Sequence, residues 1–179
     1  MEIEIKATFD NKDALKTKLF ELGATEQKMK HQIDEYYNHP SRDTRKTKEY
    51  ISLRYKVNDN TGVFAYHLNI SDGVTKEFEV GVDNLQVFKQ ILQGLNFPLL
   101  GVIDKKRETF VLGEFTITLD EVKGIDNFLE IEVDGEESEI VEKKAQCLEM
   151  LKKLGLSEKN ICKGVWLCDI ATGKTTYTK

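Results

Sequence analysis

Paired like charges are the feature that most restricts what this chain can become. Glu2-x-Glu4, Glu77-x-Glu79 and Glu130-x-Glu132 each alternate with apolar residues, and Arg54-x-Lys56 and Lys105-x-Arg107 repeat the spacing with bases. A period of two is the period of a β-strand, so each pair stands on one face of its strand. Like charges held that close repel unless a counter-ion bridges them. The opening residues show the pattern at its clearest. Glu2, Glu4 and Lys6 fall on one face, and Ile3 and Ile5 on the other.

Taken in order, the chain reads as strands closed by helices. After a strand over about 1–9, Asp10 or Asn11 can cap a helix carrying Leu15, Leu19 and Leu22, and Gly23 ends it. Residues 25–38 are extended, and His39-Pro40 breaks them. The stretch 40–48 is expected as a mobile surface loop, with a basic lid as the alternative, because Arg42, Arg45, Lys46 and Lys48 lie in it. Strands follow over 49–57, 63–71 and 74–82, joined by Asn58–Gly62 and Ser71-Asp72-Gly73. Asp83 then caps a helix whose Leu85, Phe88, Ile91, Leu92 and Leu95 face a core. Strands over about 99–111, 114–122 and 127–134 precede helices over 136–154 and 157–171, with a frayed tail over 172–179. The pattern predicts one α+β domain, residues 1–179, around a curved antiparallel sheet.

The 179 residues carry a net charge of −5, which supplies no broad basic patch and argues against a nucleic-acid partner. No apolar run approaches the roughly 18–20 residues that span a bilayer, so no membrane association is expected. The start is too acidic for a secretory signal. Cys147, Cys162 and Cys168 are expected as reduced thiols of a cytoplasmic protein, and scattered histidines with no Cys-x-x-Cys pair argue against zinc.

The second face of the strands gathers Glu2, Glu4, Lys6, Arg54, Lys56, Glu77, Glu79, Lys105, Arg107, Thr116, Thr118, Asp120, Glu130 and Glu132. Two readings stay open. An open sheet would turn this face to water. A closed barrel would hold the acids and bases inside, where unpaired charge is too costly for a dry core. Such an interior suits hard cations such as Mg²⁺ on the carboxylates and phosphate oxygens on the bases, which points to a metal–polyphosphate site.

Glu2-x-Glu4-x-Lys6 resembles the N-terminal signature of the CYTH family, the triphosphate tunnel metalloenzymes. Asp34-Glu35-Tyr36-Tyr37-Asn38-His39-Pro40, Leu53-Arg54-Tyr55-Lys56 and Lys105-Lys106-Arg107 continue the likeness in order. Leu119–Gly124 and Phe128-Leu129-Glu130-Ile131-Glu132 complete it, so that it covers essentially the whole chain. The class IV adenylyl cyclase-like branch is the most similar. The resemblance implies a closed antiparallel β-barrel of about eight strands with flanking helices. It implies that Lys6, Arg54, Lys56, Lys105 and Arg107 bind the triphosphate. Glu4, Glu130 and Glu132 would be the main ligands of Mg²⁺ or Mn²⁺, supported by Glu2, Glu77, Glu79 and Asp120. Glu4, Lys6, Glu130 and Glu132 would carry the chemistry. The implied substrate is a nucleoside triphosphate or another triphosphate, and the reaction is cyclisation of ATP or hydrolysis of a tripolyphosphate, thiamine triphosphate or nucleotide. A binding module without turnover is the remaining alternative, and a homodimer is possible by the same likeness.

The chain departs from the family pattern at three places. Asn69-Ile70-Ser71 replaces Thr-x-Lys, and Thr75-x-Glu77-x-Glu79 replaces Arg-x-Glu-x-Glu with Lys76 nearby. Lys163-Gly164-Val165-Trp166 stands where relatives often carry Arg-x-Ser-Tyr. A lost charged contact costs about 1.5–3 kcal/mol, and His67, on the face of Asn69 and Ser71, is the candidate to make up part of it.

Overall fold

The computed structural model describes residues 1–162 and 167–171. The period-two stretches form strands β1 (Glu2–Thr8), β3 (Lys30–Tyr37), β4 (Glu49–Lys56), β5 (Gly62–Ser71), β6 (Val74–Val82), β7 (Leu99–Leu112), β8 (Phe115–Val122) and β9 (Asn127–Asp134). A two-residue strand, β2 (Thr25–Glu26), pairs with β7. The strand order is β2-β7-β3-β4-β5-β6-β1-β9-β8, and β7 also pairs with β8. That last pairing closes the eight long strands into an antiparallel barrel, flanked by helices α1 (Lys12–Glu21), α2 (Leu85–Gly94), α3 (Ile140–Lys153) and α4 (Leu167–Ala171).

The chain divides into two compact units. The first comprises residues 1–30, 71–75 and 106–164, and the second residues 31–70, 76–105 and 165–179. In the first, α1 and α3 cover the apolar face of β1, β8 and β9. Leu15 and Leu19 of α1, with Cys147, Met150 and Leu151 of α3, pack with Ile3, Ile117, Leu119, Leu129 and Ile131. Lys12 and Lys16 of α1 also clamp the buried Glu108 of β7, at 2.8 and 2.5 Å, which joins the helix to the sheet. In the second unit, Leu85 and Leu92 of α2 pack with Tyr37, Ile51, Leu53 and Val82. Lys89 of α2 reaches Glu35 on β3 at 2.6 Å, where Tyr37 and Tyr55 also donate hydrogen bonds to the same carboxylate.

Several expectations need correction. Asn84, not Asp83, caps α2, its side chain accepting from the Val87 amide at 3.1 Å. Ile91 and Leu95 do not face the core: the 85/88/92 stripe meets the sheet, and the two lie part of a turn round the helix, exposed. Phe78 and Val80, on the apolar face of β6, are likewise exposed. The segment 25–38 is extended as expected and holds two strands. The expected loop over 40–48 holds a 3₁₀ turn, Thr44–Lys46, tied down from within: Asn38 Oδ1 accepts from the Thr44 amide at 2.8 Å and its hydroxyl at 3.0 Å. Arg42 pairs with Glu49 and Arg45 with Asp43, so these charges are met by neighbours. Where one helix was expected over 157–171, a 3₁₀ turn (Glu158–Asn160) and a bridge from Ile161 to Ala7 come first, and α4 is five residues long. The expected tail, 172–179, lies outside the described residues.

Gly73, in the turn between β5 and β6, fixes the approach of β1. Its φ is +68°, and its carbonyl accepts the Glu4 amide at 2.9 Å. A Cβ there would sit 2.4 Å from the Glu4 carbonyl oxygen, a backbone atom that cannot step aside. Gly73→Ala is therefore expected to destabilise the protein by more than about 1 kcal/mol in urea unfolding.

Candidate active site

The register of the first unit puts its charges side by side. Glu4 stands opposite Glu132 and Lys6 opposite Glu130, while Thr116 faces Glu132 and Thr118 faces Glu130 across the next pair. Strand periodicity then sets Glu2, Glu4, Lys6, Thr116, Thr118, Asp120, Glu130 and Glu132 on one face. This face is not solvated: Asp120 is 0% exposed, Lys6 7% and Glu130 8%. The open-sheet reading therefore fails here, and each buried charge requires a partner.

Those partners are present. Lys6 Nζ lies 2.8 Å from Glu130 Oε1. Arg107 on β7 donates from Nε to Asp120 Oδ1 at 2.7 Å and from Nη2 to Asp120 Oδ2 and Glu130 Oε2, both at 2.5 Å. Thr118 Oγ1 adds a hydrogen bond to Glu130 Oε2 at 3.3 Å. Five carboxylates thus share this face with Lys6 and Arg107. The imbalance is felt at Glu4, whose carboxyl is pushed up to about 7 by burial, with Glu130 and Glu132 adding to the rise and Lys6 and Arg107 opposing it. Glu132 is also raised, first by burial and then by Glu130, while a hydrogen bond shared with Glu2 works the other way.

The second unit builds a different arrangement. Asp34 on β3 stands opposite Arg54 on β4 and is 1% exposed. Arg54 Nε donates to Oδ1 at 2.8 Å, and Lys105 Nζ lies 3.0 Å from Oδ2. Two of the expected phosphate-binding bases are therefore organised by one carboxylate. Sequence reasoning placed Asp34 in a motif without giving it a role. Its signal was alternation with Gln32 and Tyr36, which puts an acid on a face otherwise read through its bases. Next along that face, Ser52 Oγ is 2.9 Å from His67 Nε2, and His67 Nδ1 is 2.6 Å from Glu77 Oε1.

Some expected residues stand apart. Lys56 and Glu79 are exposed. Glu77 is engaged by His67. Lys76 lies over the Phe78 ring, 5.2 Å from its centroid, and so does not stand in for the missing arginine. Lys163-Gly164-Val165-Trp166 lies outside the described residues. Cys147 is buried in α3 and Cys168 lies in α4; these and Cys162 are free thiols.

Among the described residues, no three carboxylate, imidazole or thiol groups already converge as a metal cage. The donor chemistry of the first unit nevertheless suits a hard cation. Carboxylate oxygens are the ligands Mg²⁺ and Mn²⁺ prefer. Glu4 and Glu132, both raised by burial and by neighbouring acids, are the pair a divalent charge would relieve.

The family model for the CYTH domain matches residues 1–164. A Methanocaldococcus jannaschii protein bearing the name "putative adenylate cyclase" is 31% identical over 174 residues, 93% of this chain and 97% of its own. A solved Pyrococcus horikoshii protein superposes with a TM-score of 0.82 at 28% identity, covering 94% of this chain and 97% of that one. A Hippeastrum protein, titled a putative adenylyl cyclase with a dominant triphosphatase activity, shares the fold with a TM-score of 0.68 at 19% identity, over 95% of this chain and 94% of that one.

Burial alone would raise the Asp34 carboxyl, but Lys105 and Arg54 hold it well below the usual carboxylate range. A depressed carboxyl contributes stability that is complete above about pH 4 and is lost as the pH falls through its native value. Asp34→Ala removes the buried carboxylate that Lys105 and Arg54 share and is expected to cost about 3–5 kcal/mol at pH 7. Urea unfolding should also show Asp34→Asn losing less stability than the unmutated protein between pH 7 and pH 3.

Proposed function

The chain belongs to the CYTH family, and from that premise we propose that it is a metal-dependent enzyme acting on a triphosphate. In this reading it is most like a class IV adenylyl cyclase, converting ATP to cyclic AMP and pyrophosphate. The observation that carries the reading is the crowding of Glu2, Glu4, Asp120, Glu130 and Glu132 around Lys6 and Arg107 on a buried sheet face, with the Glu4 carboxyl pushed up to about 7 by burial and its acidic neighbours. A face of that composition is poised for a cation and an anion together.

Glu4, Glu130 and Glu132 would hold Mg²⁺ or Mn²⁺, with Glu2 and Asp120 in support. Glu77 and Glu79 are left out of this set, the first because His67 engages it and the second because it is exposed. When bound, the ion neutralises phosphate charge and makes a hydroxyl oxygen a better nucleophile. The protein's own groups do the rest. Lys6 and Arg107 present fixed positive charge to the phosphate oxygens, where charge spreads as the P–O bond lengthens. Arg54 and Lys105, held by Asp34, are the further anion contacts assigned by the family motif; Lys56 is a peripheral one, given its exposure. Because Lys6 and Arg107 are already hydrogen-bonded to carboxylates, they enter the reaction oriented. A substrate phosphate and a cation can divide these partners between them, the anion taking the bases and the cation the acids.

The test is to incubate the protein with Mg²⁺ or Mn²⁺ and ATP, tripolyphosphate or thiamine triphosphate, measuring cyclic AMP, pyrophosphate and phosphate separately. Cyclic AMP and pyrophosphate in equal amounts are expected from ATP. Phosphate release instead would assign hydrolysis, and saturable binding without turnover would make the protein a binding module. Glu130→Gln and Lys6→Ala should abolish turnover; activity surviving either change overturns the assignment of this face. Arg107→Ala should raise the apparent KM for the triphosphate, and an unchanged value would put the phosphates elsewhere.

A further inference from the structure

The apolar face of the second unit is only partly covered. In the first unit, α1 and α3 lie together over β1, β8 and β9. In the second, among the described residues, α2 packs through Leu85, Phe88 and Leu92 on β3, β4 and β5, and meets β6 at Val82. Phe78 and Val80 share the Val82 face of β6 by strand alternation, yet they remain 53% and 57% exposed. The Phe78 ring lies 6.2 Å from that of Tyr66 on the neighbouring β5, so the bare patch continues the covered one.

The helix turns a second bare surface to the same side. Lys89 is drawn to Glu35 on β3, while the Phe88 ring sits 4.9 Å from Phe64 on β5, which fixes the rotation of α2 about its axis. Ile91 and Leu95 follow Phe88 at helical spacing, i+3 and i+7, and Val87 precedes Ile91 by one turn. The three therefore form a stripe on the β5–β6 side of α2, with Val87 and Ile91 48% exposed and Leu95 58%. Lys89 is the one charged residue of α2 and is engaged by Glu35, so the stripe carries no charge. Apolar residues exposed singly are ordinary, but these five expose on the order of 450 Å² together, the size of patch that marks an interaction site.

We propose that this surface joins two copies of the chain about a two-fold axis, the Val87–Ile91–Leu95 stripe of each lying over the Phe78–Val80 patch of the other. Each copy carries both halves side by side, a bare helix ridge and a bare stretch of sheet, which is what an isologous interface requires. A neutral stripe meets its copy without repulsion. Lys76, whose ammonium lies 5.2 Å from the Phe78 ring centroid, stays at the rim, where its stem covers apolar surface and its charge keeps to water. With a polar surround the patch approaches the roughly 800 Å² per partner of a standard interface. The second copy's α2 then supplies the further helix that the apolar face of this sheet lacks. The pairing is face to face and closes at two copies, leaving strand rims unused, and it stands apart from the reading of the buried charges.

Sedimentation velocity of the full-length protein over a range of concentrations is expected to show a monomer–dimer equilibrium. Ile91→Glu and Phe78→Lys each put a charge into the contact and should raise the dimer Kd about 30-fold or more. Both positions are exposed in the single chain, so the circular dichroism of each variant should match that of the unmutated protein. Gln86→Glu, on the β3 side of α2, should leave Kd unchanged. Mixing Ile91→Glu chains with Phe78→Lys chains should restore a dimer, because one of its two contacts pairs the introduced charges and the other is unmutated. If either variant fails to fold, Val87→Glu or Val80→Lys takes its place. An unmutated protein that stays monomeric at its highest soluble concentration overturns the proposal, as does a dimer that survives both substitutions. Dimers lost in both variants and not restored on mixing overturn the two-fold pairing of α2 with β6.

Discussion

The grip of Arg107 on Asp120 and Glu130 is the interaction on which the first unit's polar face depends. One guanidinium on β7 reaches carboxylates on β8 and β9, strands that are neighbours in the sheet. Asp120 is fully buried, and a carboxylate in that position without a partner would be uncharged or would not be there. Lys6 completes the circuit from β1 through Glu130. Four strands are therefore tied by charge on the face opposite the apolar contacts of α1 and α3.

The two units solve the problem of buried charge in opposite ways. In the first, acids outnumber bases, and the strain shows as raised carboxyls at Glu4 and Glu132. In the second, a single acid, Asp34, gathers Arg54 and Lys105, and the strain is relieved so fully that its carboxyl is depressed. The first arrangement is short of positive charge, and the second holds two bases near one acid. That difference in sign, rather than the number of charges, is what separates the two arrangements.

Much of this was legible in the residues because strand periodicity is strict. The alternation around Glu2, Glu4 and Lys6, and around Glu130 and Glu132, set those side chains on one face, and the structure pairs them across β1 and β9. The sequence pattern could not decide whether that face was wet. Burial depends on sheet closure, which the β7–β8 pairing supplies from residues distant in the chain from β1. Ile91 and Leu95 were misplaced because an apolar helix pattern does not state how wide a stripe the sheet will cover. Lys56 and Glu79 satisfied the period and yet lie exposed, since alternation fixes the side of a strand but not how far along it the enclosed part extends. The Ser52–His67–Glu77 chain was hidden for a related reason. Its members are scattered over 26 positions of sequence, and cross-strand register alone brings them together.

Closure has a further consequence, for how the molecule can fail. A ring of eight strands has no free rim, so among its long strands no row of unpaired amides and carbonyls is on offer to another chain. Parting β7 from β8 would create two such rims in one event, each offering unpaired backbone groups and the buried apolar side chains of its strand, Phe110 on β7 and Ile117 and Leu119 on β8. The species prone to self-association is then the briefly unzipped ring rather than the native one, and the pairing at that seam governs shelf life as much as shape.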